Sequence, residues 1–316
     1  MLFSCSTVGL TASLMSNMLQ LNQDAMASVQ VIVRRLRPVL AFLIIVVVLI
    51  TVWEGYKALG TATGNKVPFT GLELPIRSDD TSMPHVWNIF QALFRPARRG
   101  GEDVLLVILL KSALFTWREA ALGFVIGSVI GFALGVAFVH STLLEQGFMP
   151  YVVASQTVPL LAIAPMIVIW GSRLNWPAWW SVSIISAYLT FFPVTINTLR
   201  GLRSPDPTAL ELMRSYAATK WEVLWKLRVP AALPYILTAL KVSATASVIG
   251  AIVGELPSGV AEGLGRALLT FMYYYVSGPE KLFASILVAA LLGILFVNLI
   301  VQIERRVIPV ARRLDE

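Results

Sequence analysis

Charge is scarce in this sequence. Asp, Glu, Lys and Arg make up 14% of its 316 residues, against 57% hydrophobic residues and a mean hydropathy of +0.74. Soluble domains carry about a quarter charged residues, so the composition argues against a single water-soluble globule. At about 20 apolar residues per span, the length accommodates several transmembrane helices and no separate catalytic domain of ordinary size. Cys5 is the one cysteine, which rules out an internal disulfide. His85 and His140 are the only histidines and lie far apart, without metal-site spacing. A phosphate-cradling loop is also missing: the nearest approach, Gly60-Thr-Ala-Thr-Gly64-Asn-Lys66, fails in spacing. Neither a nucleophile elbow nor a His-Glu-x-x-His helix is present. The expectation is a protein with no catalytic residues, metal or cofactor, and ATP hydrolysis, if coupled to it, in another chain. No basic residue precedes Arg34, so residues 1–30 read as a polar tail rather than a signal peptide, with Met15, Met18 and Met26 as alternative starts.

What the sequence has is long apolar runs. Six are long enough to span a bilayer: about 38–58, 119–139, 148–170, 177–199, 231–254 and 282–303. Trp53 and Tyr56 sit where an aromatic belt anchors the far end of the first. The run Val104–Trp117 is too short to span and reads as an interfacial helix leading into the second. The net charge of +7 fits cytoplasmic loops better than a nucleic-acid face, and no nucleic-acid partner is expected. With the N-terminus inside, thirteen Lys and Arg fall on inner segments. The short outer loops then hold three, Arg173, Arg266 and Lys281. The long segment 57–118 weighs little, because long loops cross largely regardless of charge. Both termini are therefore expected in the cytoplasm.

Gly123, Gly127, Gly131 and Gly135 recur every four residues in the second span, the small-residue row that lets helix backbones approach closely in lipid. Lys241 is the one unambiguous ionisable residue deep in a span, 11 residues past Pro230 or about 16 Å along a helix. It reads either as a pathway residue attracting an anionic or acceptor-rich solute, or as a structural partner for a neighbouring span. The inner loop 200–230 carries turn chemistry. Asp206 before Pro207 predicts a helix start, with the helix running to about Ala218. Thr219-Lys-Trp-Glu222 has capping-box spacing and predicts a second short helix ending before Pro230.

The run from Glu211 to Pro230 resembles the EAA loop of binding-protein-dependent ABC importer permeases. Glu211 takes the glutamate, Ala217 the glycine position, and Leu227, Val229 and Pro230 the closing positions, with the nine-residue gap intact. Leu212 and Met213 replace the alanines, and Ala217 the glycine. Thr157-Val-Pro159, Phe191-Phe-Pro193-Val-Thr-Ile-Asn197 and Ala231-Ala-Leu-Pro234 are similar to the nitrate/sulfonate/taurine-type branch, and Glu211–Ala218 to permeases for pyrimidine precursors or riboflavin. The resemblance implies an all-α type I importer permease fold with about six transmembrane helices, in a bacterial plasma membrane. It implies a cytosolic ATPase dimer, an external solute-binding protein and a second permease chain, a homodimer before a heterodimer. Glu211, Tyr216, Ala217, Ala218, Thr219, Trp221 and Pro230 become coupling-loop residues, with Leu224 a further apolar anchor. Gln156, Thr157 and Lys241 become pathway candidates.

The expected organisation is a cytoplasmic tail (1–37), a first helix with external insertion and interfacial helix (38–116), the permease domain (117–306) and a short tail (307–316). The rival reading is a membrane-embedded enzyme or scaffold with an external platform at 59–118, where Asp79-Asp80 and Glu102-Asp103 pair carboxylates. Adjacent acidic residues in polar loops are more often turn and cap residues. Co-purification with an ATPase separates the two readings.

Overall fold

The computed structural model describes residues 37, 40–66, 72–97, 101 and 103–307. The tail expected over 1–30, Glu102 and the residues after 307 lie outside that set. Helices build the fold, and among the described residues β-structure is limited to the isolated bridges Lys66–Glu73 and Pro96–Val104. Among the described residues, five helices are long and apolar enough to cross a membrane, or six if one bent pair is a single span. The chain forms two compact units, Met1–Val86 and Trp87–Glu316.

The first unit is built on α1, Leu40–Ala62, whose apolar side chains from Leu40 to Val52 are mostly exposed, as a lipid-facing helix requires. A turn with Gly64 and Asn65 both at positive φ reverses the chain. The following segment folds back along the helix end. Trp53 Nε1 donates to the Pro84 carbonyl at 3.1 Å, and Tyr56 Oη to that of Ile76 at 3.0 Å. Asn65 Oδ1 accepts from the backbone and hydroxyl of Ser78. Lys57, 3% exposed, is paired with Asp80, while Glu54 accepts from the Val86 amide and His85 Nδ1, both at 2.8 Å. The Lys57 ammonium beside Asp80 holds that carboxyl below the usual carboxylate range. Asp79 caps the Ser82 amide. The acidic pair at 79–80 thus serves a turn and an ion pair.

The second unit, from Trp87 on, holds all but the first residue of α2, Val86–Leu93, followed by α3, Leu105–His140. The run from Val104 to Trp117 does not form a separate interfacial helix. It is the first third of α3, whose 36 residues reach about 54 Å, well beyond the roughly 30 Å of a hydrocarbon core. No breaker stands between Leu105 and Gly123, so the helix continues through the expected boundary.

The glycine row decides what α3 packs on. α6 is Ala178–Leu202. A Cβ on Gly127 would stand 2.5 Å from the Ala187 carbonyl oxygen, on Gly131 2.6 Å from that of Phe191, and on Gly135 2.7 Å from Thr198 Cγ2. The two backbones are in contact along that stripe, as the spacing predicts. α9, Val229–Ser258, packs on both, and α11, Pro279–Val307, closes the bundle with Phe296 edge-on to Trp117 and Phe124.

Two expectations about continuity reverse. The span expected over 148–170 is two helices, α4 (Thr142–Ser155) and α5 (Leu160–Arg173), meeting at 102°. Pro159 disfavours helix at Val158 and has no amide hydrogen to continue the ladder. Conversely, the helix expected to end before Pro230 does not end. α8, Lys220–Val223, passes through a π-helical segment, Leu224–Arg228, directly into α9. The Val229 amide bonds the Leu224 carbonyl five residues back. This widened turn carries the chain past the ring of Pro230, which would clash in an ordinary helical register.

Candidate functional site

The loop 203–229 lies at the bundle end formed by the C-termini of α3 and α6 and the start of α4. An Arg203–Glu145 fork joins α4 to the end of α6, and Arg228 Nη1 donates to the Leu202 carbonyl at 3.4 Å. Asp206 caps α7, Pro207–Ser215, by accepting the Thr208 amide at 2.7 Å. That backbone hydrogen bond keeps its carboxyl below the ordinary range. The helix stops three residues earlier than the sequence predicts, and a Schellman closure explains why. The Ala218 amide bonds the Met213 carbonyl at 3.0 Å, the Ala217 amide that of Arg214 at 2.9 Å, and Ala217 itself has φ 52°. The glycine position of the resembled motif is therefore left-handed.

Ala217→Gly should stabilise this turn by up to about 1 kcal/mol, because a Cβ is unfavourable in the left-handed region. Ala217→Val should destabilise it by more than about 1 kcal/mol, since branching worsens the same clash. Melting of the purified chain in detergent, with hydrogen exchange over 207–228, reads both.

The predicted capping box follows. The Thr219 amide donates to Glu222 Oε2 at 2.9 Å, the Glu222 amide to Thr219 Oγ1 at 3.3 Å, and Lys226 pairs with Glu222 at 3.0 Å. Two short helices are thereby fixed by their own caps. They present an apolar row to the outside: Leu212, Tyr216, Trp221 and Trp225 are between 55% and 77% exposed. Leu224, expected to anchor a partner, does not belong to it. It is fully buried against Leu202 and Ala232, and Trp225 takes its place on the surface. The helical register rotates Leu224 inward, and its identity alone could not reveal that. Glu211 is exposed, and its side chain forms no hydrogen bond or ion pair among the described residues. Between the loop and the bundle lies a cleft of about 280 Å³, lined by His140, Arg214, Lys220 and Arg228 among others, with the Trp221 ring 6.2 Å from that of His140.

The pathway candidates separate into two places. Gln156 and Thr157 are exposed at the α4–α5 bend, where Thr157 Oγ1 donates to the Ala154 carbonyl and Tyr188 Oη to that of Ser155. Lys241 lies elsewhere, paired at 3.0 Å with Glu304 on α11. Sequence reasoning missed Glu304, just beyond the apolar run, and it missed Glu119. The signal for Glu119 was present: it stands four residues before Gly123, on the same helical stripe as the glycines, and is fully buried.

Comparison with known proteins identifies the family. Residues 123–309 match the family described as binding-protein-dependent transport system inner membrane component. The formylaminopyrimidine transport permease protein ThiX of Halalkalibacterium halodurans is 37% identical over 64% of this chain and 80% of its own. The putative aliphatic sulfonates transport permease protein SsuC of Bacillus subtilis is 31% identical over 60% and 66%. Among solved structures, an amino acid ABC transporter crystallised with histidines shares the fold, with a TM-score of 0.52 at 20% identity over 64% of this chain and 94% of that one. The chain therefore belongs to the binding-protein-dependent transport inner membrane component family and is a multi-pass permease subunit of an ABC importer, whose family works with an ATPase and a solute-binding protein.

Proposed function

We propose that residues 207–228 are the element through which this permease is driven, and that the solute passes the bend between α4 and α5. The observation that carries the first part is the exposure of Leu212, Tyr216, Trp221 and Trp225 along two capped helices, the end of the first and the π-helical segment that follows the second. Such a preformed aromatic surface fits a cytosolic ATPase subunit, since aromatic anchors dominate protein contacts. Because α8 runs unbroken into α9, a rigid-body shift of the docked loop is passed directly to a membrane helix. Glu211, whose side chain has no partner among the described residues, would bond across the interface.

For the second part, a helix broken inside a membrane leaves backbone groups that are tolerated only where they line a cavity or are buried in protein. Gln156 and Thr157 stand at that break. Lys241 and Glu304 neutralise one another, which favours the structural role for Lys241. The relatives named for a formylaminopyrimidine and for aliphatic sulfonates support a small polar solute rich in hydrogen-bonding atoms. Two copies of this chain would enclose the pathway, with both termini and the loop in the cytoplasm.

The test uses the complex reconstituted with its ATPase and loaded binding protein. Glu211→Ala should leave the chain inserted and lower stimulated ATP hydrolysis and uptake together, and unchanged stimulation would remove the coupling role. In a Cys5→Ser background, Leu72→Cys and Ser204→Cys should label with an impermeant thiol reagent from opposite sides of the membrane. Labelling from one side overturns the orientation.

A further inference from the structure

We propose that Glu119 and Glu255 hold a single proton between them, as a buried carboxylic acid–carboxylate pair that ties the corner between α9 and α10 (Leu264–Tyr273) to α3. Both side chains are completely buried. Glu255 is well supplied with donors. Thr116 Oγ1 lies 2.5 Å from its Oε1, and the Gly265 amide donates to its Oε2 at 2.5 Å. Thr116 Oγ1 in turn accepts the Leu264 amide at 2.8 Å, so one hydroxyl links α3, the Glu255 carboxyl and the first amide of α10.

Glu119 follows Thr116 by one helical turn on α3, on the side where Thr116 meets this carboxyl, yet neither of its own oxygens meets a partner among the described residues. Two carboxylates cannot both be ionised at close range in an apolar interior, and a buried anion without a donor is strongly disfavoured. Nearby cations do not resolve this. Arg118, on the same helix, lays its guanidinium over Trp179 at 4.3 Å and Phe115 at 5.4 Å. The Arg266 side chain of α10 lines an outer cleft, and Lys281 of α11 is bonded to the Ala97 carbonyl. α6 brings Ser183 and Ser186 to the neighbouring turn of α3, at Gly123. One proton supplies the missing donor, converts two negative charges into one, and places an O–H of Glu119 against Glu255.

The corner is shaped for this pair. Gly263 has φ 120°, and a Cβ there would stand 2.5 Å from the carboxyl carbon of Glu255. Glycine is what lets the backbone come close enough to present its amides. The outer cleft of about 600 Å³, lined by Ser112, Gly263, Arg266 and Tyr274 among others, comes to the edge of the corner at Gly263.

Infrared spectroscopy of the purified full chain at neutral pH tests the assignment. The expected result is a protonated-carboxyl C=O band equivalent to one group per chain, shifting in D₂O and vanishing in Glu119→Gln. That amide keeps the shape and donates in place of the acid, so its melting temperature should stay close to the parent's while that of Glu119→Ala falls. Absence of the band in the parent overturns the proposal, as does its persistence at full intensity in Glu119→Gln. A parent band that appears only when sodium is replaced by choline would assign the site to a metal cation and likewise overturn it. Should Glu119→Gln not purify, the parent band, its D₂O shift and its indifference to sodium decide the question alone.

Discussion

Replacing Tyr216 and Trp221 together by alanine should lower the apparent affinity of this permease for its ATPase, and with it substrate-stimulated ATP hydrolysis, by at least about tenfold. Truncating a central aromatic anchor in a protein contact typically costs about 2 kcal/mol or more, and each 1.4 kcal/mol is about tenfold in a binding constant. Tyr216 is 77% and Trp221 65% exposed in the chain alone, so neither carries much of the fold. The doubly substituted chain should insert, purify and melt as the parent does. Leu224→Ala is the control with the opposite signature. Its side chain is sealed against Leu202 and Ala232, so truncation opens a cavity and should cost about 2–5 kcal/mol of stability. Surface titration of the ATPase onto permease-containing proteoliposomes, with melting of both variants, separates the cases. Undiminished binding by the Tyr216→Ala/Trp221→Ala chain would remove the aromatic row from the interface.

The largest effect on the fold should come from the glycine stripe. Gly127→Leu combined with Gly131→Leu should separate α3 from α6 and abolish recovery of a stable, monodisperse chain. Even a single Cβ at these positions would lie 2.5 Å and 2.6 Å from backbone carbonyl oxygens of α6, and backbone cannot rotate away as a side chain can. Overpacking typically costs about 1–3 kcal/mol per site, and two adjacent sites share one helix contact, so their effects couple. Gly147→Leu is the matched control, because nothing lies within 4 Å of its added Cβ. It should leave yield and melting almost unchanged. Size-exclusion profiles and thermal melts in one detergent give the comparison. Normal behaviour of the doubly substituted stripe would mean that α3 and α6 do not pack through their glycines.

The sequence by itself determined what depends on near neighbours. Apolar length located the spans, the four-residue glycine period marked the packing face of α3, and Asp206-Pro207 and Thr219-x-x-Glu222 set two helix starts, since caps and turns are local chemistry. The motif from Glu211 to Pro230 carried the family. Only the tertiary structure decided what depends on long-range contact or on how local preferences compete. The sequence reads Pro159 as part of one continuous span and Pro230 as a helix end, yet the first accompanies a 102° bend and the second is passed by a π turn. A proline's effect depends on whether neighbouring helices hold the chain straight and satisfy the freed carbonyls. Leu224 and Trp225 are adjacent and both apolar, but the rotation of one helix buries the first and exposes the second. Lys241 finds Glu304 63 residues away, and Thr116 finds Glu255 across 139. Such pairs have no period and no spacing, because burial in a shared interior creates their need for one another, and that interior exists only once the bundle has closed.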